Sequence, residues 1–165
     1  MDSGSVGSAL LVVGARCALA GTFAAAAWSK LRQQSGFAAS LALFGVPEAL
    51  RRPLSRSVPA TEALCAVSLL VWMGSPWPAW LSLGLLAALS AGVTANLVAG
   101  RRPPCPCFRA TGQQPISGAT LIRNAALLAL AVVATGSSGG APMVLAGAVG
   151  VVSGATALAA ASRLG

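Results

Sequence analysis

The sequence predicts an all-α membrane protein, a polytopic bundle of transmembrane helices, and three observations support this fold class. Hydrophobic residues make up 56% of the 165-residue chain, and the mean hydropathy is +0.78. Charged residues make up only 8%, whereas soluble domains carry about 25%. Several stretches also reach about 20 apolar residues, the length that a helix needs to cross a bilayer. This composition excludes a soluble domain and a disordered chain, because both need more polar surface.

Five apolar stretches qualify as membrane spans, and they cover residues 9–29, 57–74, 77–100, 118–136 and 141–162. The second stretch is the shortest and contains Glu62. Gly74-Ser75-Pro76-Trp77-Pro78 forms a turn before the third stretch, and a Gly/Ser-rich segment at 136–140 precedes the fifth. We therefore expect a four-helix membrane core over residues 1–136 and an additional C-terminal transmembrane helix over residues 137–165.

The net charge is +8, with eleven bases and three acids, and the bases flank the apolar stretches. They concentrate between spans one and two and between spans three and four, which is typical of cytoplasmic loops. We therefore expect a multi-pass protein of the cell (inner or plasma) membrane, with its N-terminus outside and both basic loops inside. Nucleic-acid binding would need the bases on one water-facing surface. The expected partner is the lipid bilayer rather than nucleic acid.

Four polar residues of the spans lie at similar depth from the basic-loop side. Lys30 ends span one, Glu62 lies about a turn into span two, and Asn96 lies about a turn before the end of span three. Arg123 lies just over a turn into span four. Lys30 and Arg123 could instead extend to the interface, Glu62 could favour a helix start, and Asn96 could join two helices. Their convergence favours a functional polar layer.

Cys105-Pro106-Cys107 is the most chemically specific motif, and it lies in the loop between spans three and four. Two such thiols can cycle between dithiol and disulfide, or they can bind a soft metal such as Cu(I) or Zn(II). Pro106 favours extended backbone at Cys105, which would strain the disulfide and make it easy to reduce. Neighbouring arginines favour the reactive thiolate. The motif therefore predicts labile rather than structural sulfur.

Three further groups lie inside the predicted spans. Arg16 lies near the middle of span one and needs either a partner or a water-filled cavity. Cys17 and Cys65 are most simply small apolar residues. Cys65 follows Glu62 by three positions and so shares its helix face. It is therefore also a candidate relay or metal ligand beneath the cysteine loop.

The order and spacing of several short motifs carry a family resemblance. They are Lys30-Leu31, Gly36-Phe37, Pro59-Ala60-Thr61-Glu62, Asn96-Leu97, Gly100-Arg101-Arg102, Cys105-Pro106-Cys107-Phe108, Pro115-Ile116-Ser117 and Leu121-Ile122-Arg123-Asn124. Over about residues 9–136 the chain resembles the methylamine-utilisation MauE family of DoxX-like, redox-associated membrane proteins. The resemblance implies a four-helix membrane bundle that acts with a thioredoxin-like protein in maturing a disulfide-rich partner. Pro106 and Arg109 stand where the family has glycines, which stiffens the loop.

Three functions are compatible with these features. The first is a membrane thiol–disulfide oxidoreductase whose dithiol exchanges electrons either with a thioredoxin-like partner or with a membrane quinone, which in the second case would be its cofactor. Its site would comprise Cys105, Cys107, Glu62, Arg123, Lys30 and Asn96, with Glu62 as proton acceptor and the two bases holding thiolate. The second is a Cu- or Zn-binding or transport protein, with Cys105, Cys107 and Cys65 as ligands. The third is a non-catalytic subunit of a larger membrane complex.

Overall fold

The computed structural model describes residues 3–104 and 115–136, which form five α-helices. These are α1 (Ser3–Arg32), α2 (Gln34–Leu43), α3 (Glu48–Val71), α4 (Trp77–Val98) and α5 (Gly118–Ala134). Within these residues the only strand-like pairing is an isolated antiparallel bridge between Pro104 and Pro115. The predicted all-α membrane bundle is confirmed.

Three of the helices, α1, α3 and α4, are long and apolar enough to cross a membrane. Helix α5 is apolar but has only 17 residues, so it extends about 26 Å, slightly less than a hydrocarbon core of about 30 Å. Trp72 and Trp77 flank the turn between α3 and α4, with ring centroids 5.5 Å apart. Tryptophan favours the membrane–water interface, so this turn marks one face of the bundle. The predicted fifth span, residues 141–162, lies outside the described residues.

The second span differs from its predicted boundaries of 57–74, because α3 begins at Glu48 and ends at Val71. Glu62 therefore lies in the second half of this helix rather than one turn from its start. The basic cluster that was assigned to a loop is helical, and Arg52 and Arg56 are exposed on it. A helix needs apolar residues only where it meets lipid, so its first turns can carry bases that reach water.

Helix α2 occupies part of the chain that was expected to be a loop between spans one and two. It buries Phe37 and Ser40 and ends before Gly45, whose φ of +80° suits glycine. The guanidinium of Arg101 packs over Gly45, with Nη1 3.3 Å from the position that a Cβ would occupy. Helix α2 and the basic segment that follows α4 therefore lie together at the face opposite the tryptophans.

The main core lies between α1, α3, α4 and α5 and is built mostly of alanine and leucine. Its buried members include Leu19, Phe23, Leu69, Leu86 and Ala131. Small side chains allow helix backbones to approach closely, which is how helices associate inside a membrane.

Arg16 finds its partners at the ends of two helices. Its side chain is only 3% exposed, and its Nε donates to the carbonyl of Ala134 at 3.0 Å. Nη1 donates to the carbonyls of Trp72 and Met73, and Nη2 donates to that of Ser75 at 2.7 Å. The last carbonyls of a helix lack intrahelical partners and carry the negative end of the helix dipole. One guanidinium therefore closes the C-terminal ends of α3 and α5, which supplies the partner that Arg16 was expected to need.

Candidate functional site

A buried ion pair joins the last turn of α1 to α3. The Nζ of Lys30 bonds to the Oε1 of Glu62, and each residue is only 1% exposed. The Lys30 ammonium also lies 5.6 Å from the ring centroid of Phe37, within the range of a cation–π contact. Lys30 therefore does not extend to the interface, and Glu62 is not a helix-start acid. Each charge is compensated by the other, as burial in a low-dielectric interior requires.

Asn96 joins α4 to the end of α2. Its Nδ2 donates to the carbonyl of Gly92 at 2.9 Å and to that of Phe44 at 3.4 Å. The Oδ1 of Asn96 and the Oε2 of Glu62 are buried acceptors without a hydrogen-bonding partner among the described residues. An unsatisfied buried acceptor is costly and uncommon. These two atoms therefore indicate a place where a bound group could donate hydrogen bonds.

The polar residues surround one cavity of about 530 Å³, to which all five helices contribute. Most of its lining is apolar, and its polar lining includes Lys30, Glu62, Asn96, Arg123 and Asn124. Arg123 is exposed at the rim, whereas Asn124 is buried and donates to the Ser90 hydroxyl at 3.2 Å. The structure thus brings the four predicted site residues of the spans together around a single space.

The residues that flank the cysteine segment, Pro104 and Pro115, are held close to this cavity, and we call this pair of flanking segments the loop base. The loop base is closed by the bridge between Pro104 and Pro115 and by the Ile116 amide, which donates to the carbonyl of Pro103 at 3.1 Å. Ile116 is 1% exposed and packs in a cluster with Val93 and Phe44, both of which line the cavity. Cys105 follows Pro104 directly, but Cys105 and Cys107 lie outside the described residues.

The two intrahelical cysteines have different surroundings. Cys65 is fully buried in the main core and does not line the cavity, whereas Cys17 is exposed on α1. Residues 3–104 and 115–136 contain no group of three or more His, Cys, Asp or Glu that could hold a metal ion. The alternative ligand set of Cys65 with Cys105 and Cys107 includes two residues outside this range, so it stays a prediction.

Sequence reasoning missed the contribution of α2, which supplies Phe37 and Ser40 to the cavity wall and is followed by Phe44. The apolar residues of 37–43 were a signal for a helix, but the segment is too short to span a membrane. Ser90, the partner of Asn124, was also missed. A single serine in an apolar helix carries no positional signal in the sequence alone.

Comparisons with known proteins agree on one family. The family model described as methylamine utilisation protein MauE matches residues 8–137. A relative from Paracoccus denitrificans, named methylamine utilization protein MauE, is 38% identical over an alignment of 147 residues that covers 87% of this chain and 79% of the relative. No solved structure matches the chain. The chain therefore belongs to the MauE family of methylamine utilisation proteins.

Proposed function

We propose that this multi-pass membrane protein supports the maturation of a partner protein in methylamine utilisation through thiol–disulfide exchange at Cys105 and Cys107. The family description supports the methylamine context. The observation that carries the redox role is the position of the loop base. Pro104, which directly precedes Cys105, is bridged to Pro115 next to Ile116, and Ile116 packs against the wall of the cavity that holds Lys30 and Glu62.

The cavity residues would then serve the chemistry of the thiols. The Oε2 of Glu62, which has no hydrogen-bonding partner among the described residues, would accept a thiol proton, and Lys30 would compensate the carboxylate charge before that step. Arg123 at the rim would favour the thiolate form of a cysteine close to it. Asn96 would hold the end of α2 in place through the carbonyl of Phe44.

The exchange balances as a two-electron step. Oxidation of the two thiols to a disulfide releases two electrons and two protons. Reduction of a disulfide in a thioredoxin-like partner to two thiols, or of a membrane quinone to its hydroquinone, consumes them. The reverse direction would oxidise a partner dithiol. From the charge asymmetry we expect the N-terminus to lie outside the cell membrane and the cysteine segment to lie on the cytoplasmic side.

The test is thiol alkylation with a mass-shift readout on isolated membranes, with and without reductant. A shift that depends on reductant and disappears in the variant Cys105→Ser/Cys107→Ser is expected. The matched control Cys17→Ser removes an exposed thiol outside the loop and should keep the shift. Thiols that become reactive only after a chelator is added would contradict the redox role and support metal binding. Labelling of both loop cysteines under every condition would also contradict the redox role and would support a non-catalytic subunit.

A further inference from the structure

The cavity has the size and the walls of a site for a small aromatic molecule. Its volume is about 530 Å³, within the usual range of about 300–1,000 Å³ for ligand pockets. The chain has four phenylalanines, and three of them, Phe23, Phe37 and Phe44, line this space. Aromatic rings pack favourably against one another in offset or edge-to-face arrangements. The walls therefore favour a ligand that contains a ring.

The polar groups that line the cavity favour a particular chemistry for the ligand's head. The Oε2 of Glu62 and the Oδ1 of Asn96 are both acceptors, and both lack a partner among the described residues. The charge of Lys30 is already compensated by Glu62. A head that satisfies either acceptor must therefore donate a hydrogen bond, as a hydroxyl group does and an ether does not.

Two membrane-spanning helices contribute exposed residues to the wall of the cavity. Ser57 on α3 and Ala88 and Gly92 on α4 line the cavity and are exposed at the surface of the bundle. Because α3 and α4 are long and apolar enough to span a membrane, their exposed surface meets lipid over most of its length. A ligand that enters between these helices must dissolve in the bilayer.

We propose that the cavity binds a lipid-soluble phenol, with the single hydrogen of its hydroxyl group donated to the Oε2 of Glu62 and its ring lying among the three phenylalanines. The apolar tail would extend towards the exposed lining residues of α3 and α4. All the residues of this site are described ones, and binding of the phenol does not depend on cysteine exchange.

The test compares two matched probes, para-nonylphenol and para-nonylanisole, on the purified wild-type protein in detergent micelles by native mass spectrometry. The anisole has the same ring and tail but cannot donate a hydrogen bond. The phenol should bind as one molecule per protein and at least about tenfold more tightly than the anisole, since a hydrogen bond to a charged acceptor is strong. Equal binding of the two probes, or binding of neither, would overturn the proposal.

A pair of variants locates the binding site. Gly92 and Gly84 are both exposed glycines of α4 with open space at the Cβ position, but only Gly92 lines the cavity. Gly92→Phe should lower phenol binding about tenfold or more, and Gly84→Phe should leave it unchanged. An equal effect of the two substitutions on phenol binding would contradict the placement of the ligand in this cavity. Phenol binding should persist in Cys105→Ser/Cys107→Ser, so failure of the redox role and failure of this inference are distinguishable.

Discussion

The ion pair of Lys30 and Glu62 places two opposite charges where the helices otherwise bury apolar side chains. Such a pair is an expensive way to join α1 to α3, because each charge loses its hydration on burial. Two small apolar residues would pack the same helices at less cost. We therefore expect this ion pair to serve a functional site rather than the stability of the bundle.

Removal of one partner of this pair should be far more harmful than removal of both. Lys30→Met or Glu62→Gln leaves one buried group without its partner, which should cost about 3–5 kcal/mol. The double variant Lys30→Met/Glu62→Gln should recover much of that loss. Thermal unfolding of the purified protein in detergent micelles measures the effect. The control Arg32→Met removes an exposed base that lies over Trp28 and should change the midpoint little. Equal losses in the single and double variants would contradict the coupling.

The sequence was sufficient to predict the depth of the polar residues along the spans, but it was not sufficient to predict which of their side chains contact one another. Lys30, Glu62, Asn96 and Arg123 could be placed in one layer because helix rise is constant and the basic loops mark one face. Which side chains meet depends on helix rotation and crossing, and the sequence does not specify these. For the same reason the guanidinium of Arg16 was expected to need partners, but its carbonyl acceptors at the ends of α3 and α5 were not foreseen.

At the scale of elements, the loop base between α4 and α5 connects the cysteine segment to the bundle. It combines a short bridge, a capping box at Ser117 and Thr120 that starts α5, and the buried side chain of Ile116. The capping box satisfies backbone groups that a helix start would otherwise leave unpaired. The ends of the cysteine loop are therefore fixed by both hydrogen bonds and packing.

Ile116 offers a test of how strongly this base is held. Ile116→Ala should lower the free energy of unfolding by about 2–5 kcal/mol, because it removes buried methyl groups from the cluster with Val93 and Leu121. Ile122 is 65% exposed and only a few positions away, so Ile122→Ala is a matched control that should have little effect. Denaturant titration in micelles measures both. Similar values for the two variants would show that the loop base contributes little to stability.

At the scale of the whole molecule, composition was sufficient for the fold class and insufficient for the helix boundaries. Spans were located by hydropathy, which detects lipid contact rather than helix formation. Helix α3 therefore extends nine residues beyond its predicted start, from position 57 back to Glu48, and α2 lay in a predicted loop. The four helices that correspond to the predicted core spans nevertheless surround one cavity, and α2 completes its wall.

The positions of the bases predict the orientation of the whole bundle in the membrane. Arg51, Arg52 and Arg56 lie in the first three turns of α3, and Arg101 and Arg102 follow α4 at the same face. The tryptophan turn and the end of α5 lie at the other face, where Arg16 joins them. Because basic residues are retained on the cytoplasmic side, we expect the tryptophan turn to face outward.

Reporter fusions test this orientation. Alkaline phosphatase fused after Gly136 should be active, because the enzyme folds only outside the cytoplasm, and the same enzyme fused after Arg102 should be inactive. Green fluorescent protein at the two positions should give the opposite pattern. Replacement of Arg51, Arg52 and Arg56 by glutamine removes part of the charge asymmetry. It should therefore reduce the difference in phosphatase activity between the two fusion positions. Active phosphatase after Arg102 would show that the bundle has the opposite orientation in the membrane. The cysteine loop would then lie in an oxidising compartment, where its disulfide form would predominate.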